Sequence, residues 1–238
     1  MQTTGFPHFK PTASRAQNGV AMIFDLEGFS NFFGQPDVHE YVPTYLNKIF
    51  TAIDICIFGG NAFWLNDELD GDPLIPRPVH RKFLGDGALY VWLPQKNKDV
   101  FDTNFTTYLP NRLWTIKNHF GEINKSCVDD IPLLELPKRI RFGIARGTIY
   151  ELSFAHSKTK EYIGYCINLA ARLQSYCKEL GFIVSARMRI SQETIDKHNY
   201  LKVVATKIKG FPRELVIVDK REFESLSDDK RDDLFETL

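Results

Sequence analysis

Two aspartates in matching settings are the residues best suited to chemistry. Asp25 follows the apolar run Val20-Ala21-Met22-Ile23-Phe24 and precedes Leu26-Glu27-Gly28-Phe29-Ser30. Asp86 stands between two glycines in Lys82-Phe83-Leu84-Gly85-Asp86-Gly87-Ala88-Leu89-Tyr90. In each case an apolar strand delivers a carboxylate to a glycine-bearing turn. Neighbouring strands that set the two side by side make a site for hard cations, two magnesium or manganese ions held against a nucleoside triphosphate. The Leu26 carbonyl adds a ligand in this reading, and the 27–30 turn offers N–H groups to phosphate oxygens. Either aspartate alone reads equally as a cap or turn residue. The pair carries the argument.

The third stretch is Glu161-Tyr162-Ile163-Gly164-Tyr165-Cys166-Ile167-Asn168-Leu169-Ala170-Ala171-Arg172-Leu173. Asn168 and Arg172 are four apart and share one face of a helix. One reading is an amide cap and a solvated guanidinium. The other is an asparagine that orients a sugar and an arginine that meets charge developing on a phosphate. The acids Asp67, Asp70 and Asp72 lack the spacing of a calcium loop and read as a solvated loop.

The elements that must position these residues follow from periodicity and turn chemistry. The sequence predicts a strand over 19–24, then a helix capped by Asp37, with Pro43 in its first turn or at a kink, closed by Gly59-Gly60. A hairpin over 80–93 turns at Gly85-Asp86-Gly87. A helix over 106–120 and a loop over 121–137 come next. A second hairpin, 139–145 with 148–152, is expected to turn at Arg146-Gly147. The helix of Asn168 runs over 166–180 and stops at Gly181. A strand over 182–185, a helix over 191–198 capped by Ser191, and a hairpin, 201–208 with 214–218 around Lys209-Gly210, complete the chain. Tight turns require antiparallel neighbours. The expected class is α+β, a ferredoxin-like central sheet with helices to one side.

Bulk properties set limits. Of 238 residues, 43% are hydrophobic and 25% charged, ordinary for a soluble domain. Lys+Arg and Asp+Glu both number 30, so no global field draws the chain to nucleic acid or membrane, and a triphosphate must be met by local cations. Cys56, Cys127, Cys166 and Cys177 form no CxxC pair and read as small core residues in a reducing cytoplasm. No apolar run reaches the roughly 18 residues of a membrane span, and no secretory leader is apparent.

Five motifs in order, spanning about 19–218, resemble the catalytic domain of the class III nucleotide cyclases, the adenylate/guanylate cyclase superfamily. They are Phe24-Asp25-Leu26-Glu27-Gly28-Phe29-Ser30, Lys82-Phe83-Leu84-Gly85-Asp86, Gly143-Ile144-Ala145-Arg146-Gly147, Asn168-Leu169-Ala170-Ala171-Arg172 and Lys209-Gly210. The resemblance implies attack of a ribose 3′-hydroxyl on the α-phosphorus, giving a 3′,5′-cyclic monophosphate and pyrophosphate. It implies a homodimer whose sites join the metal-bearing Asp25 and Asp86 of one subunit to Asn168 and Arg172 of the other. Lys209 matches a triphosphate-contacting lysine, and Phe29 a residue near it. Lys82 and Glu161, seven before Asn168, match the pair that reads the base, with Tyr45 and Tyr165 as residues that would crowd it.

Lysine at 82 argues against guanine, and glutamate at 161 is one methylene longer than the aspartate of adenylate cyclases. No regulatory module is apparent, as in the stand-alone pyrimidine cyclases of Pycsar anti-phage systems, which the chain also resembles. That resemblance implies UTP as substrate and cyclic UMP as a messenger for a separate effector protein. Adenylate cyclase is the alternative, then cytidylate cyclase, and outside catalysis an inactive nucleotide-binding module. Residues 1–18 are expected to be a flexible lead-in, 19–220 the catalytic domain, and 221–238 a charged peripheral tail.

Overall fold

Alternation in the first strand decides the architecture. Val20, Met22, Phe24 and Leu26 join one apolar cluster, while Ala21 and Ile23 join another on the opposite face. A strand buried on both faces belongs in the middle of a sheet. The computed structural model describes residues 8–59, 75–94, 101, 103–128, 135–155 and 157–237. Its elements are β1 (Gln17–Glu27), α1 (Phe29–Phe33), α2 (Val38–Phe58), β2 (His80–Phe83), β3 (Gly87–Trp92), α3 (Thr103–Asn118), α4 (Phe120–Ser126), β4 (Arg139–Ser153), β5 (Lys160–Gly164), α5 (Tyr165–Tyr176), β6 (Phe182–Ser185), α6 (Gln192–Lys197), β7 (Tyr200–Ala205), β8 (Glu214–Asp219), α7 (Lys220–Glu224), α8 (Asp228–Leu234) and β9 (Phe235–Thr237).

The described residues build a nine-stranded mixed sheet in the order β2-β3-β1-β4-β6-β8-β7-β9, with β5 paired to the far end of β4. Only β4 and β6 run parallel; the other pairs are antiparallel. The α+β class is as expected. Helices to one side is not: α2, α3 and α4 cover the Met22 face, and α5 covers the Ala21 face. Among the described residues no helix is long and apolar enough to cross a membrane.

The expected hairpin at Arg146-Gly147 is replaced by a single 15-residue strand. Both of its halves pair with β1, from Gln17 opposite Ile149 to Glu27 opposite Arg139, so no reversal is possible. Gly147 serves close packing there, since a Cβ would lie 2.8 Å from the Tyr165 ring. The loop expected over 121–137 contains α4, and Pro110 lies inside α3. Asp37 occupies the N-cap of α2 in a left-handed conformation, with no side-chain cap bond. Residues 60–74, including Asp67, Asp70 and Asp72, lie outside the described residues.

Described residues near both ends pack against the sheet. Phe9 bridges Phe154, stacking on its ring at 4.8 Å, and the Lys10 N–H donates to the Ser153 carbonyl at 2.8 Å. The tail forms α8 and then β9, which pairs with β7. Its charge pattern hides Phe223, Leu226 and Phe235, all buried. Each such burial contributes about 1.5–3 kcal/mol, enough to hold a short strand in place.

Two packing devices place the chemistry-bearing residues. The first holds the edge strand β2, where Arg81 donates to Asp54 Oδ2 at 2.7 Å, the Tyr90 hydroxyl donates to Asp54 Oδ1, and the guanidinium lies 5.0 Å from the Phe58 ring. With Arg81 pulled to the α2 face, alternation sends His80 and Lys82 to the α5 face. The second is Gly143 on β4, where a Cβ would overlap the Ala170 carbonyl oxygen of α5. We expect Gly143→Ala to push α5 off the sheet and lower stability by about 1–3 kcal/mol through overpacking. Urea unfolding measures this, and an unchanged midpoint would contradict the close-packing role.

Candidate active site

Asp25 lies within β1, opposite Gly87 of β3 on one side and Arg141 of β4 on the other. Asp86 immediately precedes β3, and its carbonyl accepts from the Leu26 N–H at 2.8 Å. Close approach is possible because residue 87 is glycine: a Cβ there would overlap the Phe24 carbonyl oxygen. The two carboxyl groups consequently meet. Burial holds Asp86 above the usual carboxylate range, and the hydrogen bond and charge of Asp25 push the same way; Arg141 opposes them.

Two residues that the motifs did not single out complete this cluster. Arg141 forms an ion pair with Asp25, both side chains being largely buried. Gln174 of α5 donates to Asp25 Oδ2 at 3.1 Å. Arg141 Nε and Glu27 Oε2, 3.9 Å apart, are buried without a hydrogen-bond partner among the described residues. Strand alternation places Arg141 on the same face as Gly143, two residues on, a signal that none of the motifs used. Gln174 follows from helical geometry only once α5 is known to lie over β1.

The donor set suits hard cations, which favour carboxylate oxygen. Among the described residues no three acidic, histidine or cysteine side chains converge. A pair of carboxylates suffices for magnesium, which commonly takes its remaining ligands from water and phosphate. The unpartnered polar atoms beside Asp25 are consistent with an ionic ligand there. Leu26 itself is a core side chain.

Asn168 and Arg172 are both exposed on α5, whose Cys166, Leu169, Ala170 and Leu173 are buried. Gln174 faces Asp25, and Arg172 is two residues away, about 200° around the helix. Arg172 therefore points away from the carboxylates of its own protomer.

Lys82 and Glu161 come together across the site, with Nζ 2.9 Å from Oε1. His80, two residues before Lys82 on the same face of β2, places Nε2 3.9 Å from Glu161 Oε2. This nitrogen is buried without a hydrogen-bond partner among the described residues, and the ring centroid is 5.1 Å from that of Tyr162. Lys209 is exposed in the β7–β8 connection, beside Gly210 at φ +84°.

Three aromatic expectations change. Tyr45 is 0% exposed, donates its hydroxyl to Asn124 Oδ1 at 2.8 Å and packs on Phe32, so it belongs to the core and cannot crowd a base. Phe29 is buried against Phe32 and Phe33 at 5.1 and 4.8 Å, so its side chain supports the turn from within. Tyr165 packs edge-on against Phe211 and bonds Glu214 at 3.3 Å, tying α5 to the last hairpin.

No protein family's sequence profile matches the chain, and no curated protein matches it in sequence. Solved structures do match in fold. The adenylyl cyclase CyaB from P. aeruginosa aligns over 87% of this chain and 95% of its own, at 17% identity and TM-score 0.58. The guanylyl cyclase Cya2 aligns over 87% and 93%, at 17% identity and TM-score 0.53. The catalytic core of a rhodopsin-guanylyl cyclase with converted specificity, in complex with ATPalphaS, aligns over 87% and 97%, at 15% identity and TM-score 0.55. At these identities the likeness is one of fold: the chain has the class III cyclase fold.

A raised carboxyl pKa has a definite consequence. It favours the folded state below the ordinary carboxylate pKa, and that contribution is lost as pH rises through the folded value. Near pH 7 the ionised Asp86 therefore works against folding. We expect Asp86→Asn to melt above wild type at pH 7, with the gap closing as pH falls toward about 4. A variant that melts below wild type at pH 7 would refute this.

Proposed function

We propose that this chain is a nucleotide cyclase that converts a nucleoside triphosphate, UTP foremost, to its 3′,5′-cyclic monophosphate and pyrophosphate. It works as a homodimer with two composite sites. The observation that carries the reading is the opposed aim of two groups of residues: Asp25 meets Asp86 and Gln174, while Arg172 projects from the far side of the same helix. Arg172 is thus suited to serve the carboxylates of a second copy, and two-fold symmetry supplies the reciprocal site.

Each group then has a role. Asp25, Asp86 and the Leu26 carbonyl would hold two magnesium or manganese ions, which would supply charge neutralisation of the triphosphate and a lower pKa for the 3′-hydroxyl. Asn168 orients the ribose so that its 3′-oxygen lies in line with the α-phosphorus. Arg172 meets the charge that builds on the α-phosphoryl oxygens. Lys209 holds the outer phosphates. The new bond to the α-phosphorus forms as the bond to the bridging oxygen breaks; pyrophosphate leaves, and the hydroxyl proton passes to solvent.

Lys82 and Glu161 meet the base. Glu161 is longer than aspartate and already reaches Lys82, which narrows the space and favours a pyrimidine. ATP is the second reading, because an ammonium and a carboxylate also match N1 and the 6-amino group of adenine. Following the resemblance to Pycsar cyclases, the product is a cytoplasmic messenger that switches on a separate effector protein in anti-phage defence.

Incubation of the purified protein with each triphosphate and manganese, followed by chromatography, tests the reaction. Cyclic UMP is the expected main product. Cyclic AMP as the main product would overturn the choice of UTP, and no cyclic product from any triphosphate would overturn the enzyme. Arg172→Ala should lower kcat by about 100-fold or more, as loss of a transition-state donor does. A mixture of inactive Asp25→Ala and Arg172→Ala proteins should recover activity. With free exchange, half the dimers carry one intact site, giving about a quarter of wild-type activity. No recovery despite demonstrated subunit exchange would rule out composite sites.

A further inference from the structure

His80 lies outside every motif that marks the site, yet it sits against the residue assigned to the base. It shares the α5 face of β2 with Lys82, and the register places the two opposite Val91 and Leu89. Glu161 lies between them: Lys82 Nζ approaches Oε1 at 2.9 Å and His80 Nε2 approaches Oε2 at 3.9 Å. The second distance is too long for a hydrogen bond. His80 Nε2 is thereby buried with its bonding capacity unused, although the side chain is only 14% exposed. A buried polar nitrogen without a partner is costly in the free protein. Its position beside Glu161 gives it a natural use when a ligand edge enters.

The protonation pattern follows from the neighbours. Burial lowers the His80 pKa, Lys82 lowers it further, and Glu161 opposes both, so the ring is neutral near pH 7. A neutral imidazole carries one proton, which is favoured on the nitrogen facing a carboxylate. Nε2 is then a donor. The three groups in spatial order are a donor (Lys82), an acceptor (Glu161) and a donor (His80).

Resting on the uridylate reading above, we propose that His80 is a specificity-determining residue and that this donor–acceptor–donor row recognises uracil. The pairing edge of uracil runs O4 acceptor, N3–H donor, O2 acceptor. Lys82 donates to O4, Glu161 accepts from N3–H, and His80 donates to O2. The other bases mismatch the row. Cytosine presents a 4-amino donor toward Lys82 and an N3 acceptor toward Glu161. Guanine matches the first two places but turns its 2-amino donor toward His80. Adenine in that register offers a 6-amino donor, an N1 acceptor and, at C2, no acceptor; shifted so that N1 meets Lys82 and the 6-amino group meets Glu161, it fills two places but brings no carbonyl oxygen to His80. A buried donor facing a donor, or facing nothing, is left unpaired, and that loss is what discriminates.

The test compares wild type, His80→Leu and His80→Gln on UTP, CTP, ATP and 2-thio-UTP, whose sulfur is a poor acceptor at the O2 position. One lost hydrogen bond corresponds to about a tenfold change. Wild type should prefer UTP to 2-thio-UTP by about tenfold in kcat/KM. His80→Leu should lose that preference, and its UTP-to-ATP ratio should fall by a similar factor. His80→Gln keeps an N–H donor and should retain part of both. A His80→Leu protein that still discriminates against 2-thio-UTP as wild type does would overturn the role of His80 and leave the uridylate reading intact. A wild type that prefers ATP overturns that reading, and this inference with it. Should His80→Leu fail to fold, wild type alone decides, because equal turnover of UTP and 2-thio-UTP rules out the contact.

Discussion

The repulsion between Asp25 and Asp86 is the constraint from which the rest of the site follows. Two carboxyl groups are brought together in a half-buried position, where burial first, and then the hydrogen bond and charge of Asp25, disfavour ionisation of Asp86. The backbone enforces the approach: residue 87 has no side chain, and the Leu26 N–H binds the Asp86 carbonyl. The protein offsets the cost locally with the Arg141 guanidinium and the Gln174 amide, both on Asp25. Such a concentration of like charge is tolerable with a guanidinium beside it and favourable with stronger cations. Local strain of this kind is characteristic of sites built for a ligand.

The sheet separates stability from chemistry. Its Met22 face is an apolar cluster rich in aromatic residues, closed by three helices and pinned by the Asp54, Tyr90 and Arg81 group. Its other face carries Asp25, Arg141, His80 and Lys82, with α5 laid across it at Gly143. Arg81 lies between His80 and Lys82 in sequence and points to the opposite side. An anchor on one face therefore sets the aim of two groups on the other, through the alternation of a single short strand.

The legible parts of the fold were those encoded locally. The apolar run ending in Asp25 and the Gly85-Asp86-Gly87 hairpin turn marked the two segments that meet, and four-residue spacing put Asn168 and Arg172 on one helix face. The class of the fold followed from turns between strands. What failed was non-local. Arg146-Gly147 has the composition of a turn, but pairing with β1 on both sides of it makes a straight strand. Tyr45 has the polar handle of a binding residue and uses it on Asn124 in the core. β5, which carries Glu161, is too short and too polar to stand out. The α8–β9 tail reads as solvated because its buried residues are widely spaced among charges. Gln174 and His80 acquire meaning only from what lies across from them, and no spacing rule reports that.

The three residues of β9 have a consequence for the edge of the sheet. They cover the outer edge of β7, which otherwise presents unpaired backbone groups along Val203, Val204 and Ala205. Open edges of this kind recruit strands from other molecules. Without that cover β7 would be an open edge strand, a template for pairing with another copy of the chain. Residues 235–237 act as a latch on that edge, so a segment whose charges read as solvated closes the sheet.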